Sequence, residues 1–280
     1  MKKVKVLVAM FLFMSVSCLA LTPWGLPSYV DISAYAVNDY SQYGSGTSNL
    51  NRTILHKNRF IEQIQGKLKA KYPNISSAVK YNRENSAATK SNFLNDYTNI
   101  GEFVFFSGHG NRALLAFYDK TVSSTSGKSF GGYTRWAMFD ACLVLDAPFS
   151  KHEPWFDGAH SILGYNSLSY EFIHSYNCFF TCDHYRSEDV FNKFASRFIT
   201  NGETIWSAHH NSVKEAIYQN GGHGIAPSIV FFSGNADNGQ FVSFADERLQ
   251  NVYNGPFSYQ NGASNIYINW NAYFYGNPQY

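Results

Sequence analysis

Apolar positions in this chain follow three different spacings. Steps of three and four residues, the period of an amphipathic helix, predict helices over 54–71 (Ile54, Ile61, Ile64, Leu68, ended by Pro73) and over 86–97 (Phe93, Leu94, Tyr97). The same spacing recurs over 190–199 (Phe191, Phe194, Ala195, Phe198) and from Trp206 through His210 and Val213 to Ile217. Strict alternation predicts a strand over 29–37, with Val30, Ile32, Ala34 and Ala36 on one side, and another around Ile266, Ile268 and Trp270. The third pattern is the short unbroken apolar run: Phe103 to Phe106, Trp136 to Phe139, and a late one over 228–232. Such runs suit strands buried on both faces, as in a parallel sheet covered by helices. Further short strands are expected over 77–81 and 160–165, and a hairpin or loop excursion after Arg112.

Strands and helices alternate in this order, which predicts an α/β fold: a mainly parallel sheet sandwiched by helices, with a β-rich C-terminal tail. No internal repeat or Pro-rich linker interrupts the pattern, so residues 21–280 read as a single domain.

Composition narrows the function. Hydrophobic residues make up 45% of the chain and charged residues 15%, enough apolar surface to exclude a disordered protein. The formal charge of +2 excludes nucleic acid as the principal partner, because phosphate binding needs a clustered basic excess. At the N-terminus Lys2, Lys3 and Lys5 precede an apolar run over 6–14 and then the small residues Ser15, Ser17 and Ala20. Residues 1–20 therefore read as a signal peptide, and the protein as secreted, outside the cell or at its surface. Cys18 as a lipid-bearing cysteine is the alternative, with Ser15 standing where such a signal has Leu. The run is shorter than the ~20 residues of a membrane-spanning helix, and no later stretch is apolar enough to span a bilayer.

Cys142, Cys178 and Cys182 remain after the leader, and an odd count in an exported protein leaves a thiol unpaired. Cys178 and Cys182 are spaced to allow a disulfide, which makes Cys142 the odd thiol. His109 and Cys142 each lie just past one of the unbroken apolar runs. In a parallel α/β sheet the carboxyl ends of neighbouring strands converge on one crevice, so the two side chains are expected at the same rim. A thiolate beside an imidazole is a nucleophile with its own proton carrier. Gly110, with no side chain beside the histidine, leaves its N–H free to approach an oxyanion, and the Cys142 N–H is a second donor.

The segments FVFFSGHG (103–110) and WAMFDAC (136–142), each a hydrophobic block ending in His-Gly or Ala-Cys, resemble the signature of the caspase–hemoglobinase superfamily of cysteine peptidases, which includes caspases, legumains, gingipains and clostripain. The resemblance implies Cys142 as nucleophile and His109 as general base and acid. It also implies a helix-sandwiched parallel sheet, a protein or peptide substrate, and no cofactor or metal. It covers about fifteen residues, and the glycine that caspases carry two positions after the cysteine is here Val144. The alternative is a secreted module on the same fold that binds a glycan or a protein surface without catalysis.

Other residues invite weaker assignments. Trp155, Asp157 and His160 follow the nucleophile and could wall a substrate pocket, with Asp157 selecting a basic side chain; the alternative is a structural turn. Asp140 is read as holding a helix N-terminus or a rim hydrogen bond, outside any triad. His174, Cys178, Cys182 and His184 carry metal-ligand chemistry at a spacing that fits zinc poorly, and a disulfide is the preferred reading. His209 and His210 point about 100° apart on a helix and so cannot face one ligand. His223, in a Gly-rich turn, is a second rim candidate, and the aromatic tail a possible sugar-stacking surface.

Overall fold

The two apolar runs that carry the motif form neighbouring central strands of an eight-stranded sheet. This computed structural model describes residues 22–44, 46–96, 100–123, 130, 134–147, 151–156, 159–169, 173–175, 184–216, 225–235, 241–254 and 265–269. The strands of the sheet are β1 (Ile32–Ala36), β2 (Val79–Glu84), β3 (Phe103–Ser107), β4 (Trp136–Asp140), β5 (Ser161–Tyr165), β6 (Pro227–Asn235), β7 (Phe241–Ser243) and β8 (Asn265–Asn269). Their order is β2-β1-β3-β4-β5-β6-β7, parallel from β2 to β5; β6 is antiparallel to β5 and to β7, and β8 adds antiparallel to β6.

Chirality places the helices. The chain steps from β1 outward to β2, then back past β1 to β3, so right-handed crossovers put the two connecting helices on opposite faces. These are α1 (Thr53–Lys71) and α2 (Lys90–Asp96). Between β5 and β6 come α3 (Asp189–Ala195), continued by a π-turn over Ser196–Thr200, and α4 (Ile205–Ala216). Side chains alternate across the sheet accordingly. Phe103, Phe105, Trp136 and Met138 pack with α1, α3 and α4, while Val104, Phe106, Ala137 and Phe139 pack with Phe93 of α2 and Phe117. Phe60 of α1 stacks on Phe105 at 4.4 Å between ring centroids. Each such fully buried ring contributes roughly 1.5–3 kcal/mol of transfer free energy.

The expected α/β class, with a mainly parallel sheet between helices, is therefore found. One detail differs. The alternation over 29–37 marks one apolar side of the strand, yet every residue of β1 is buried, because β2 and β3 flank it and helices cover both faces. The intervening Ser33 and Tyr35 are paired instead of solvated: Ser33 Oγ accepts from the Gly101 amide, and the Tyr35 hydroxyl donates to Asp96 at 2.8 Å. The tail contributes Val252–Asn254, paired with Thr22–Gly25, and β8. Residues 1–20, including Cys18, lie outside the described residues. No helix among the described residues is long and apolar enough to cross a membrane.

Candidate functional site

Past the carboxyl ends of β1, β3, β4 and β5 lies a cleft of about 380 Å³. It opens where the order of connections reverses, between β1 and β3, which is where open α/β sheets form ligand crevices. Ser48 and His56 reach it after β1, His109 after β3, Asp140 and Cys142 at the end of β4, and Ser169 after β5. The two residues singled out by the sequence are thus brought to one cleft.

His109 is held on three sides. Its ring packs against Tyr40 at 4.5 Å, and its backbone N–H donates to the Tyr40 hydroxyl at 2.7 Å. That hydroxyl in turn donates to the Ala116 carbonyl at 3.0 Å. His109 Nε2 lies 2.7 Å from the Ser48 carbonyl, which can only accept, so Nε2 carries the hydrogen and Nδ1 is left as the acceptor. The turn that delivers the ring depends on close backbone approach. A Cβ on Gly110 would sit 2.7 Å from the Ala141 Cβ and 2.8 Å from the Cys142 carbonyl oxygen. Ala116 donates to the His109 carbonyl, and Gly110 is paired with Leu115. That pattern makes Gly110 a non-hydrogen-bonded rung, with its amide turned away from the partner strand.

Cys142 is the free thiol of the described residues and is half-buried. Ser169 grips the sulfur twice: the thiol donates to the Ser169 carbonyl at 3.2 Å, and the Ser169 amide donates to Sγ at 3.3 Å. Burial pushes the thiol up, and the Asp140 carboxylate pushes it further; the Ser169 and Cys142 amides work in the other direction without cancelling the rise. The next residue, Leu143, has φ +54, a left-handed conformation that costs a side-chain-bearing residue roughly a kcal/mol or more. Two bonds to the end of β5 hold it there: Leu143 N–H to the Ser167 carbonyl at 2.8 Å and Leu145 N–H to the Tyr165 carbonyl at 3.0 Å. Val144, which stands in place of a glycine, is not among the positive-φ residues, so no left-handed backbone calls for glycine there.

Beneath the rim is a polar network that the sequence reading missed. Asp140 and Ser107 lie at the ends of β4 and β3 on the face that packs against α1, and there they meet His56. His56 Nδ1 donates to Asp140 Oδ2 at 2.6 Å, the Ser107 hydroxyl donates to the same oxygen at 2.7 Å, and His56 Nε2 lies 2.7 Å from Ser187 Oγ. Burial opposes the charge on Asp140, but His56, Ser107 and Ser169 outweigh it and hold the carboxyl below its usual range. His56 could have been found in the sequence. It stands four positions before Phe60, on the stripe that continues through Ile64 and Leu68, as a polar residue on a buried helix face.

The remaining candidates go elsewhere. Trp155 and His160 do not line the cleft. Trp155 is buried under the sheet against Phe139 at 5.3 Å. His160 precedes β5 at the opposite end of the sheet, where it pairs with Glu247 at 2.9 Å, and Glu247 also accepts from Trp136 Nε1 at 2.7 Å. His160 is excluded as a pocket wall because the amino end of a parallel strand faces away from the cleft, and Trp155 because it packs with Phe139 and Phe93 on the sheet face opposite α1. Asp157, Cys178, Cys182 and His223 lie outside the described residues. His174 and His184 sit on an antiparallel pair, on consecutive rungs opposite Tyr185 and Ser175. Among the described residues no cluster of three or more metal-ligating side chains forms. His209 and His210 part as expected: His209 is buried against the Gly164 carbonyl, and His210 is half-buried beside Trp206.

A family model described as a domain of unknown function, DUF6345, matches residues 35–237, a span that includes every residue of the cleft. The chain belongs to the DUF6345 family. The DUF6345 span runs through β2 to β6 and α1 to α4, so most of the sheet and the whole cleft belong to one family unit, with β7 and β8 beyond it. No curated protein matches the chain.

Proposed function

We propose that this DUF6345 protein is a secreted cysteine peptidase of caspase–hemoglobinase type, with Cys142 as nucleophile and His109 as its proton carrier. The observation that carries this reading is the convergence of an unpaired thiol and an imidazole of fixed tautomer on one cleft at the carboxyl ends of adjacent parallel strands. His109 Nδ1 takes the Cys142 proton, and the sulfur attacks the peptide carbonyl. The amides of Gly110 and Cys142 are the donors available to the oxyanion. Collapse of the intermediate breaks the C–N bond as His109 returns the proton to the leaving amine. Water then hydrolyses the thioester with His109 acting again as base. Substrate entering the cleft takes over the contacts that Ser169 makes with the sulfur at rest. The apolar-run motifs, the sheet order and the unpaired thiol support the superfamily assignment, and the leader over 1–20 supports export.

The test is a peptide-library cleavage profile of the mature chain beside Cys142→Ala and His109→Asn. Cleavage by the wild type that is lost in Cys142→Ala and reduced about 10²–10⁴-fold in His109→Asn is the expected result. A wild type that cuts nothing, or a Cys142→Ala variant that cuts equally well, overturns the reading in favour of a non-catalytic binding module.

A further inference from the structure

Cys142 and His109 account for the chemistry proposed above, but not for the buried acid and imidazole directly beneath them. Asp140 is two residues from the thiol and touches the same Ser169: its Oδ1 is 3.5 Å from the Ser169 hydroxyl, while the Ser169 main chain holds Sγ. A buried carboxylate this close to a thiol makes the thiolate harder to form. What faces Asp140 from α1 is His56, 3% exposed, with both ring nitrogens engaged. The second nitrogen meets Ser187, which adjoins Glu188, and Glu188 is ion-paired to Arg52 at the start of α1. The imidazole is thus fixed at both ends, and its helix is tied to the segment that carries Ser187.

We propose that His56 is a positioning residue of the cysteine site: by donating to Asp140 Oδ2 it draws the carboxylate's charge toward α1 and away from Cys142, and so sets how readily the thiol ionises. This rests on Cys142 being the reactive group. Other titratable groups around the thiol and its acid are His109 across the cleft, His209 buried behind β5, and the Arg52–Glu188 pair behind Ser187. None of these hydrogen-bonds the Asp140 carboxylate among the described residues; the titratable group that does is His56. Ser107 supplies the other donor to Oδ2, and it is uncharged at any pH.

The test reads the rate of Cys142 alkylation by iodoacetamide against pH, which requires no peptidase activity. It is run on the mature chain, on His56→Gln, on Asp140→Asn and on the double variant, with Cys142→Ala as the blank. His56→Gln is expected to raise the midpoint by about half to one pH unit, and Asp140→Asn to lower it. With Asp140→Asn already in place, His56→Gln is expected to move it by less than about 0.2 unit. A midpoint unmoved or lowered by His56→Gln, or moved equally in both backgrounds, overturns the proposal and assigns His56 to packing. Should His56→Gln fail to fold by circular dichroism, Ser187→Ala decides instead: a smaller upward shift supports the proposal, and no shift overturns it. Because alkylation and cleavage are separate readouts, a chain that alkylates as expected yet cuts no peptide defeats the peptidase reading and leaves the role of His56 standing.

Discussion

His109 and Cys142 were legible in the sequence because each ends an unbroken apolar run, and a buried parallel strand delivers whatever follows it to the carboxyl edge of the sheet. His56 was not legible in the same way. Its partners Asp140 and Ser187 are remote in the chain, and only the packing of α1 across β3 and β4 brings them together. Trp155 and His160 failed as pocket residues because nearness in sequence to Cys142 says nothing about which face or which end of the sheet a residue occupies. Gly110 offers a prediction at this scale. Gly110→Ala puts a methyl group 2.7 Å from the Ala141 Cβ, with the Cys142 backbone as the next neighbour, so that loop must move. The expected result is a loss of about 1–3 kcal/mol in unfolding free energy by denaturant titration, together with a fall of tenfold or more in peptide cleavage. Retention of both would mean that the two strand ends are not in close contact.

At the scale of elements, the apolar spacing located α1 to α4 and most strands, since burial of a stripe or a run is what makes each element form, but it gave no sign of the single helical turn Glu153–Phe156. The end of α3 was less legible, because the π-turn over Ser196–Thr200 continues the helical spacing without a break in the pattern. The seating of α4 on β5 has a measurable consequence. Burial holds the His209 ring down at about 4, only partly offset by its bond to the Gly164 carbonyl. The unfolded chain takes up this proton near the ordinary histidine value of about 6.5, so between the two values the unfolded state binds a proton that the native state refuses. Stability is therefore expected to fall as pH is lowered through that window, by about 3 kcal/mol from this residue. His209→Gln should flatten that part of the profile in denaturant titrations at a series of pH values. An unchanged slope would show that His209 takes up its proton in the folded chain as readily as in the unfolded one.

For the molecule as a whole, one sheet carries two buried polar systems at its opposite ends. At the amino ends of β4 and β5, Glu247 joins His160 and Trp136 and ties the segment after β7 to the sheet, with its carbonyl accepting from Ile205 at the start of α4. At the carboxyl ends lie the cleft, its thiol and the His56–Asp140 pair. The first system has the character of a structural tie, buried and closed to solvent. The second opens on a cleft, and that difference is why the candidate chemistry is placed there. Class and layer order followed from the sequence because they depend on local patterns. The pairing of sheet ends with functions did not, because it depends on strand direction.

In the proposed reaction Cys142 is a nucleophile served by His109. Its most direct test is intact-mass and peptide-mapping analysis of the mature chain treated with a panel of peptidyl acyloxymethyl ketones. A single adduct on Cys142 is expected, absent from Cys142→Ala and formed at least about 10²-fold more slowly in His109→Asn. Adducts spread over other residues, or a His109→Asn chain that labels at the wild-type rate, would contradict it.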